Sequence, residues 1–193
     1  MTNFIAGISG MLTLIAYIIY GNKILSGNIK SSVATWLVIG FISILNTLTY
    51  LKTAKHFWIS SRAVIGGFGS AIIGTIMIIK NPHLGALSNL EIAVLIVGVL
   101  AVAVWIKKDA GHGNLVVMVA VYIATIPLLV GQYYGTVQEN PTVWFLWAAS
   151  AAFQMWSIFR MWKEQPENKN GLQLAYPIAG VGMHLMVGTM ALF

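Results

Sequence analysis

The sequence predicts an all-α membrane protein of seven transmembrane helices, built as two parallel three-helix repeats joined by a linker helix (3+1+3). Three observations predict it. Only 8% of the 193 residues are charged and 58% are hydrophobic, against roughly 25% charged in an average soluble domain. Seven apolar windows of the length that a hydrocarbon core of about 30 Å demands follow one another along the chain. Features of the first half then recur in the second at a nearly constant shift.

The windows are 4–21, 33–51, 63–79, 91–106, 114–134, 143–159 and 172–193, and the connections between them hold the Lys and Arg residues, Arg62 included. The first window starts three residues after Met1, without a basic flank or a small-residue cleavage pattern, and reads as a retained span. The second carries Trp36 and the amide Asn46; the third carries Gly66, Gly67, Gly69 and Gly74. The fourth is apolar throughout and returns the chain across the bilayer. The fifth contains Pro127, the sixth Trp144, Trp147, Gln154 and Trp156, and the seventh Pro177, Gly180, His184 and Gly188. Residues 1–80 are therefore expected to form one bundle, 81–113 the linker helix with its loops, and 114–193 the second bundle.

With no Cys, disulfides and Cys-ligated metal are excluded, and no metal or other cofactor is expected. The net charge of +6 is spread over loops rather than interleaved with aromatics on one face, which marks orientation charges in a bilayer and not a nucleic-acid surface. The absence of HExxH and GxSxG patterns, and of an acid beside a nucleophile within a span, argues against an enzyme. A retinal protein needs a Schiff-base lysine in its last helix, and 172–193 has none.

A shift of 108 residues places Ile15 and Ala16 on Ile123 and Ala124, Gly27 on Gly135, Trp36 on Trp144 and Asn46 on Gln154. For the third and seventh helices the shift becomes 113, and Gly67-Phe68-Gly69 falls on Gly180-Val181-Gly182. Two three-helix halves separated by one extra helix share one orientation, which makes the repeat parallel.

The segments Ile65-Gly66-Gly67-Phe68-Gly69 and Tyr176-Pro177-Ile178-Ala179-Gly180-Val181-Gly182, with Trp144-Phe145-Leu146-Trp147 opening the sixth helix, resemble those of the SWEET and PQ-loop transporters. The nicotinamide riboside (PnuC-type) vitamin transporters are relatives on the same plan. The resemblance covers nearly the whole chain. It implies a solute facilitator working by alternating access, with Pro127 as a hinge and Trp156 near a pocket tryptophan. The Pro-Gln dipeptide is absent, Gly66 and Ala179 stand where sugar-carrying SWEETs place Asn, and Ala151 stands where the nicotinamide riboside pattern places Asn or Asp. The solute is therefore left unnamed: a sugar, a nucleoside and a vitamin all remain open.

Amides near the middle of a span must face the bundle interior, because an unpaired polar group there is costly. Asn46 and Gln154 either contact solute or bind helices together. Trp147 and Gln154, seven residues apart, share a helix face and place an aromatic floor beside an amide. Trp144, like Trp36, fits the interfacial aromatic belt somewhat better than a pocket. Trp156 falls on the face opposite Trp147. His184 projects from a small-residue face and is either a structural histidine or a solute or proton contact; His56, His83 and His112 lie in loops or near helix ends. All five acidic residues also lie there, so facilitated diffusion is the economical expectation.

The loops after the second, fourth and sixth helices hold Lys52, Lys55, Arg62, Lys107, Lys108, Arg160, Lys163 and Lys169; the other side holds Lys23, Lys30 and Lys80. The positive-inside rule then places the N-terminus in the cytoplasm of a cell with the protein in its inner or plasma membrane. SWEET proteins resemble the opposite orientation, and the nicotinamide riboside group this one. The expected partners are a small-molecule solute and the lipid bilayer, with no nucleic acid. The glycine faces suit packing within one chain and within a homo-oligomer equally. The expected function is a uniporter for a small neutral or aromatic solute, with a non-transporting receptor or partner-binding protein as the alternative.

Overall fold

The structure is a computed structural model describing residues 1–31, 33–80 and 89–193. Among the described residues it is all-helical: α1 (Thr2–Leu25), α2 (Val33–Ala54), α3 (Phe57–Lys80), α4 (Asn89–Lys107), α5 (Ala110–Tyr133), α6 (Pro141–Glu164) and α7 (Ala175–Met190), with 3-10 turns at Pro166–Asn168 and Gly171–Leu174 before α7. The connection at 81–88, which holds His83, lies outside the described residues. Five helices, α1 to α5, are long and apolar enough to cross a bilayer. By contrast, α6 interrupts its apolar run with Ser150, Gln154, Ser157 and Arg160, and α7 has only 16 residues. Outward side chains such as Met11, Ile18, Ile72, Ile96, Val99 and Val119 are exposed, as suits a surface solvated by lipid.

Local sequence explains where the helices begin and end. Asn140 accepts from the Val143 N–H and precedes Pro141, whose missing N–H costs nothing in a first turn. Asp109 caps α5 through the His112 N–H. The ends of α1 and α5 match residue for residue. Gly27 (φ 76°) and Gly135 (φ 68°) both adopt the left-handed conformation, 108 positions apart. The Gly27 and Asn28 amides donate to Ile24 and Lys23, and the Gly135 and Thr136 amides to Gln132 and Gly131, so each helix closes with the same pair of bonds. Just beyond, Lys30 and Gln138, again 108 apart, donate to each other's carbonyls at 3.1 and 2.8 Å.

The helices form a ring in which α1 packs on α3, α3 on α2, α2 on α5, α5 on α7, α7 on α6 and α6 back on α1. Helix α4 lies outside it against α5 and α2. A core of Tyr20, Trp36, Ile73, Leu128, Trp144, Trp147 and Val187 fills the end of the ring nearest the Lys30–Gln138 bridge, and a smaller cluster around Tyr50, Ile59 and Ile158 fills the other. Helix α3 begins six residues earlier than the window at 63–79 suggests, which carries Arg62 out of its expected loop and into the bundle, 2% exposed.

Candidate functional site

A cavity of about 80 Å³, measured as room for water centres, lies at the middle of the ring. One water needs on the order of 10–15 Å³ on this measure, so the space has room for several water-sized groups. Helices α1, α2, α3, α5, α6 and α7 all contribute to its wall, and aromatic side chains dominate it: Tyr17, Trp36, Trp144, Trp147, Tyr176 and the imidazole of His184.

Trp147 is the centre of the aromatic group. Its ring lies 4.9 Å from Tyr17, 5.0 Å from Trp144, 5.6 Å from Tyr20 and 5.8 Å from His184, centroid to centroid. Its Nε1–H is buried and has no acceptor among the described residues. An unmade bond of this kind costs on the order of 1–3 kcal/mol, so the group is a donor waiting for an acceptor.

Trp144 and Trp36 are each 2% exposed and line the cavity, which corrects the expectation that they sit in an interfacial belt. Each indole donates back to the residue five positions earlier, Trp36 to the Ser31 hydroxyl at 3.2 Å and Trp144 to the Glu139 carboxylate at 3.0 Å. Glu139 also accepts from the Tyr20 hydroxyl at 3.0 Å, which ties α1 to α6 through the loop between α5 and α6. Although it is a loop residue, Glu139 is 6% exposed. Burial pushes its carboxyl up to about 7, against the opposing pull of the Trp144, Tyr20 and Ser31 donors.

Asn46 lines the cavity as expected. Its amide oxygen accepts from Asn114 Nδ2 at 2.9 Å, and the same nitrogen donates to the Thr49 hydroxyl at 2.9 Å. Asn114 was not anticipated by the sequence; at the first position of a window it looked like a helix end.

Gln154 departs from expectation. It is fully buried but is not part of the cavity wall; its Nε2 donates to the Ile59 carbonyl at 2.8 Å and its Oε1 accepts from Arg62 Nη1 at 3.4 Å. Its role is to hold Arg62. Trp156 is likewise not in the wall: it is 49% exposed and packs against Phe153, because nine residues from Trp147 turn it to the opposite side of α6. His184 lines the cavity, and its Nδ1 faces Arg62 Nη2 at 3.5 Å. Pro127 lies within the continuous helix α5, one turn beyond the cavity residues Ala124 and Thr125.

The residue that sequence reasoning missed is Arg62. Its guanidinium carbon stands 4.5 Å from the centroid of the Tyr176 ring, and its Nε has no acceptor among the described residues. A signal was present: Arg62, Gly66, Gly69 and Ser70 follow at four- and three-residue spacing, so one helix face carries them all. The glycines show why that face packs closely. A Cβ on Gly69 would meet the Tyr17 ring at 2.5 Å, and one on Gly180 would meet Arg62 Nη2 at 2.7 Å.

Arranged along the ring, the site is an aromatic chamber in which the buried N–H groups of Trp147 Nε1 and Arg62 Nε have no acceptor among the described residues. Among the described residues no group of three or more acidic or histidine side chains converges to hold a metal ion. Compared with family models, with curated proteins and with solved structures, the chain finds no match.

Proposed function

We propose that the protein is a membrane facilitator that moves a small neutral or aromatic solute by alternating access between two three-helix bundles, residues 1–80 and 114–193, with 81–113 as the linker. The observation that carries this reading is the central cavity. It is walled by both halves, lined with aromatic rings, and holds the unpartnered N–H of Trp147. Such a place suits a solute that stacks and accepts hydrogen bonds.

Further support comes from the order of the helices. In the first half α3 packs between α1 and α2; in the second α7 packs between α5 and α6. The matched ends of α1 and α5, and the Trp36–Ser31 and Trp144–Glu139 pairs, follow the same 108-residue shift. These are the relations expected of two parallel repeats on the plan of the SWEET and PQ-loop transporters. All seven helices cross the bilayer on this reading; α7, with the preceding 3-10 turn Gly171–Leu174, makes a span of adequate length. With Arg62 withdrawn from the loops, the remaining basic residues still favour the side of the N-terminus, which places that terminus in the cytoplasm.

Alternating access needs ties between the halves that break in turn. On one side of the cavity these are the Lys30–Gln138 bridge and the Tyr20–Glu139–Trp144 group; on the other the Tyr50 hydroxyl of α2 donates to the Gln173 carbonyl before α7 at 2.9 Å. Pro127, one turn from the cavity wall, is the hinge, since its missing N–H leaves the helix one backbone bond short. Uptake into liposomes by the purified chain tests the reading. Saturable flux that Trp147→Ala abolishes supports it; saturable binding without flux moves the protein to the receptor class.

A further inference from the structure

Of the eleven basic side chains, all within the described residues, Arg62 alone is buried. A guanidinium does not shed its proton, so it enters the bundle as a cation, at an effective cost of several kcal/mol unless the charge is answered. The five acidic residues are all described, and none makes an ion pair with it. Glu139 takes Tyr20 and Trp144, Glu91 takes Thr35, Glu164 takes Thr2 and Arg160, Asp109 takes His112, and Glu167 lies in the exposed turn before α7. What Arg62 does have is weak for a buried charge: two Nη contacts at 3.4 and 3.5 Å to the neutral groups of Gln154 and His184, and the Tyr176 face. Its Nε–H has no acceptor among the described residues.

The guanidinium is nonetheless held in place on the cavity wall. Gln154 is itself anchored to the Ile59 carbonyl, and the missing Cβ of Gly180 opens the space that Nη2 occupies. From there the aromatic surface is continuous: His184 lies against Arg62 through Nδ1, and the rings of Trp144 and Trp147 lie 5.7 and 5.8 Å from the imidazole. The cation is at one end of a stacking surface, and the free indole N–H of Trp147 is farther along it.

We propose that the solute is a small aromatic carboxylate, its acid group bound by Arg62 and its ring laid against His184 and Trp147. This rests on the facilitator reading above and narrows its solute class from neutral or aromatic to anionic. A carboxylate supplies what the site lacks, since it accepts two hydrogen bonds from a guanidinium edge and carries the missing negative charge. A sugar or a neutral amide would leave the cation unanswered.

The test compares acids with their amides, which keep ring and shape and lose only the charge: benzoate with benzamide, and indole-3-acetate with indole-3-acetamide. Binding to the full chain in detergent is followed by titration calorimetry, and uptake is measured in liposomes. The acids are expected to bind about tenfold more tightly than the amides or better. Arg62→Gln should erase that preference by weakening the acids about tenfold and the amides less, and Arg62→Lys should keep part of it. Should Arg62→Gln fail to fold, Gly180→Ala, which keeps the charge but crowds Nη2, should weaken the acids more than the amides.

Equal binding of acid and amide by the wild type overturns the proposal, as does an equal loss of both in Arg62→Gln. If the amides are then carried saturably, the facilitator reading stands and only the anion falls. If folded wild-type protein neither binds nor carries any of the four, the anion proposal falls, and saturable flux of a sugar, nucleoside or amino acid, or its absence, then decides the facilitator reading separately.

Discussion

Removing the charge of Glu139 should change how the protein's stability depends on pH. In the unfolded chain this carboxyl titrates near 4.5, and burial in the folded protein pushes it up to about 7. The folded state therefore holds the proton more tightly, and the benefit is complete below pH 4.5, where both states are protonated. It is lost as pH rises through about 7, because the folded chain must then carry a buried carboxylate. The difference corresponds to about 3 kcal/mol, or on the order of 6–12 °C in the melting midpoint of a chain of this size. Glu139→Gln removes the titration. It otherwise resembles the protonated side chain: its oxygen accepts as the carboxyl's carbonyl oxygen does, and its nitrogen, like the acid hydroxyl, can donate to the Tyr20 hydroxyl oxygen.

The assay is thermal unfolding of both proteins in detergent from pH 4.5 to 8.5. At the acid end, where Glu139 is protonated, the two proteins should be of similar stability. At the alkaline end the variant should be the more stable, so the two curves diverge as pH rises. Parallel curves across the range would refute the reasoning, because they would mean that Glu139 titrates alike in the folded and unfolded chains.

Two other substitutions probe the packing. Gly69→Ala places a methyl carbon at 2.5 Å from the Tyr17 ring, which is fixed by its hydroxyl contacts to the Gly66 carbonyl and Ser70; the expected cost is about 1–3 kcal/mol in unfolding experiments, together with weakened solute binding, since Tyr17 lines the cavity. Lys55, in the turn between α2 and α3, has φ 53°, a left-handed conformation that costs a side chain about 1–2 kcal/mol. Lys55→Gly should therefore raise the melting midpoint slightly and leave solute binding unchanged.

How much of this was legible in the sequence depends on the residue. The positions of all seven helices follow from apolar windows, and Trp147 was found as a cavity residue because its spacing from Gln154 fixed its helix face. The same helical count put Trp156 outside, against the family resemblance, and it is exposed. Gly27 and Gly135 match under the 108-residue shift, and the structure adds that both are left-handed at the ends of α1 and α5. Arg62 was missed because an apolar window stops at a charge, whereas a helix does not. Neutral partners on other helices, Gln154 and His184, and the Tyr176 ring hold it, and no local pattern reveals them. Glu139 was missed for a related reason. A loop residue reads as solvated, but here the Lys30–Gln138 bridge folds the loop over Tyr20 and Trp144. Gln154 reads in the sequence as an interior amide with its role open, since burial alone does not distinguish a group that meets solute from one that positions the group that does.

The measurement that tests the central claim most directly is uptake by the purified chain in liposomes against a panel of sugars, nucleosides, amino acids and small aromatic acids, with Trp147→Ala and Trp156→Ala beside the wild type. The account predicts saturable flux of one class, abolished in Trp147→Ala and unchanged in Trp156→Ala. Folded wild-type protein that carries nothing on the panel, or equal loss in the two variants, would contradict it.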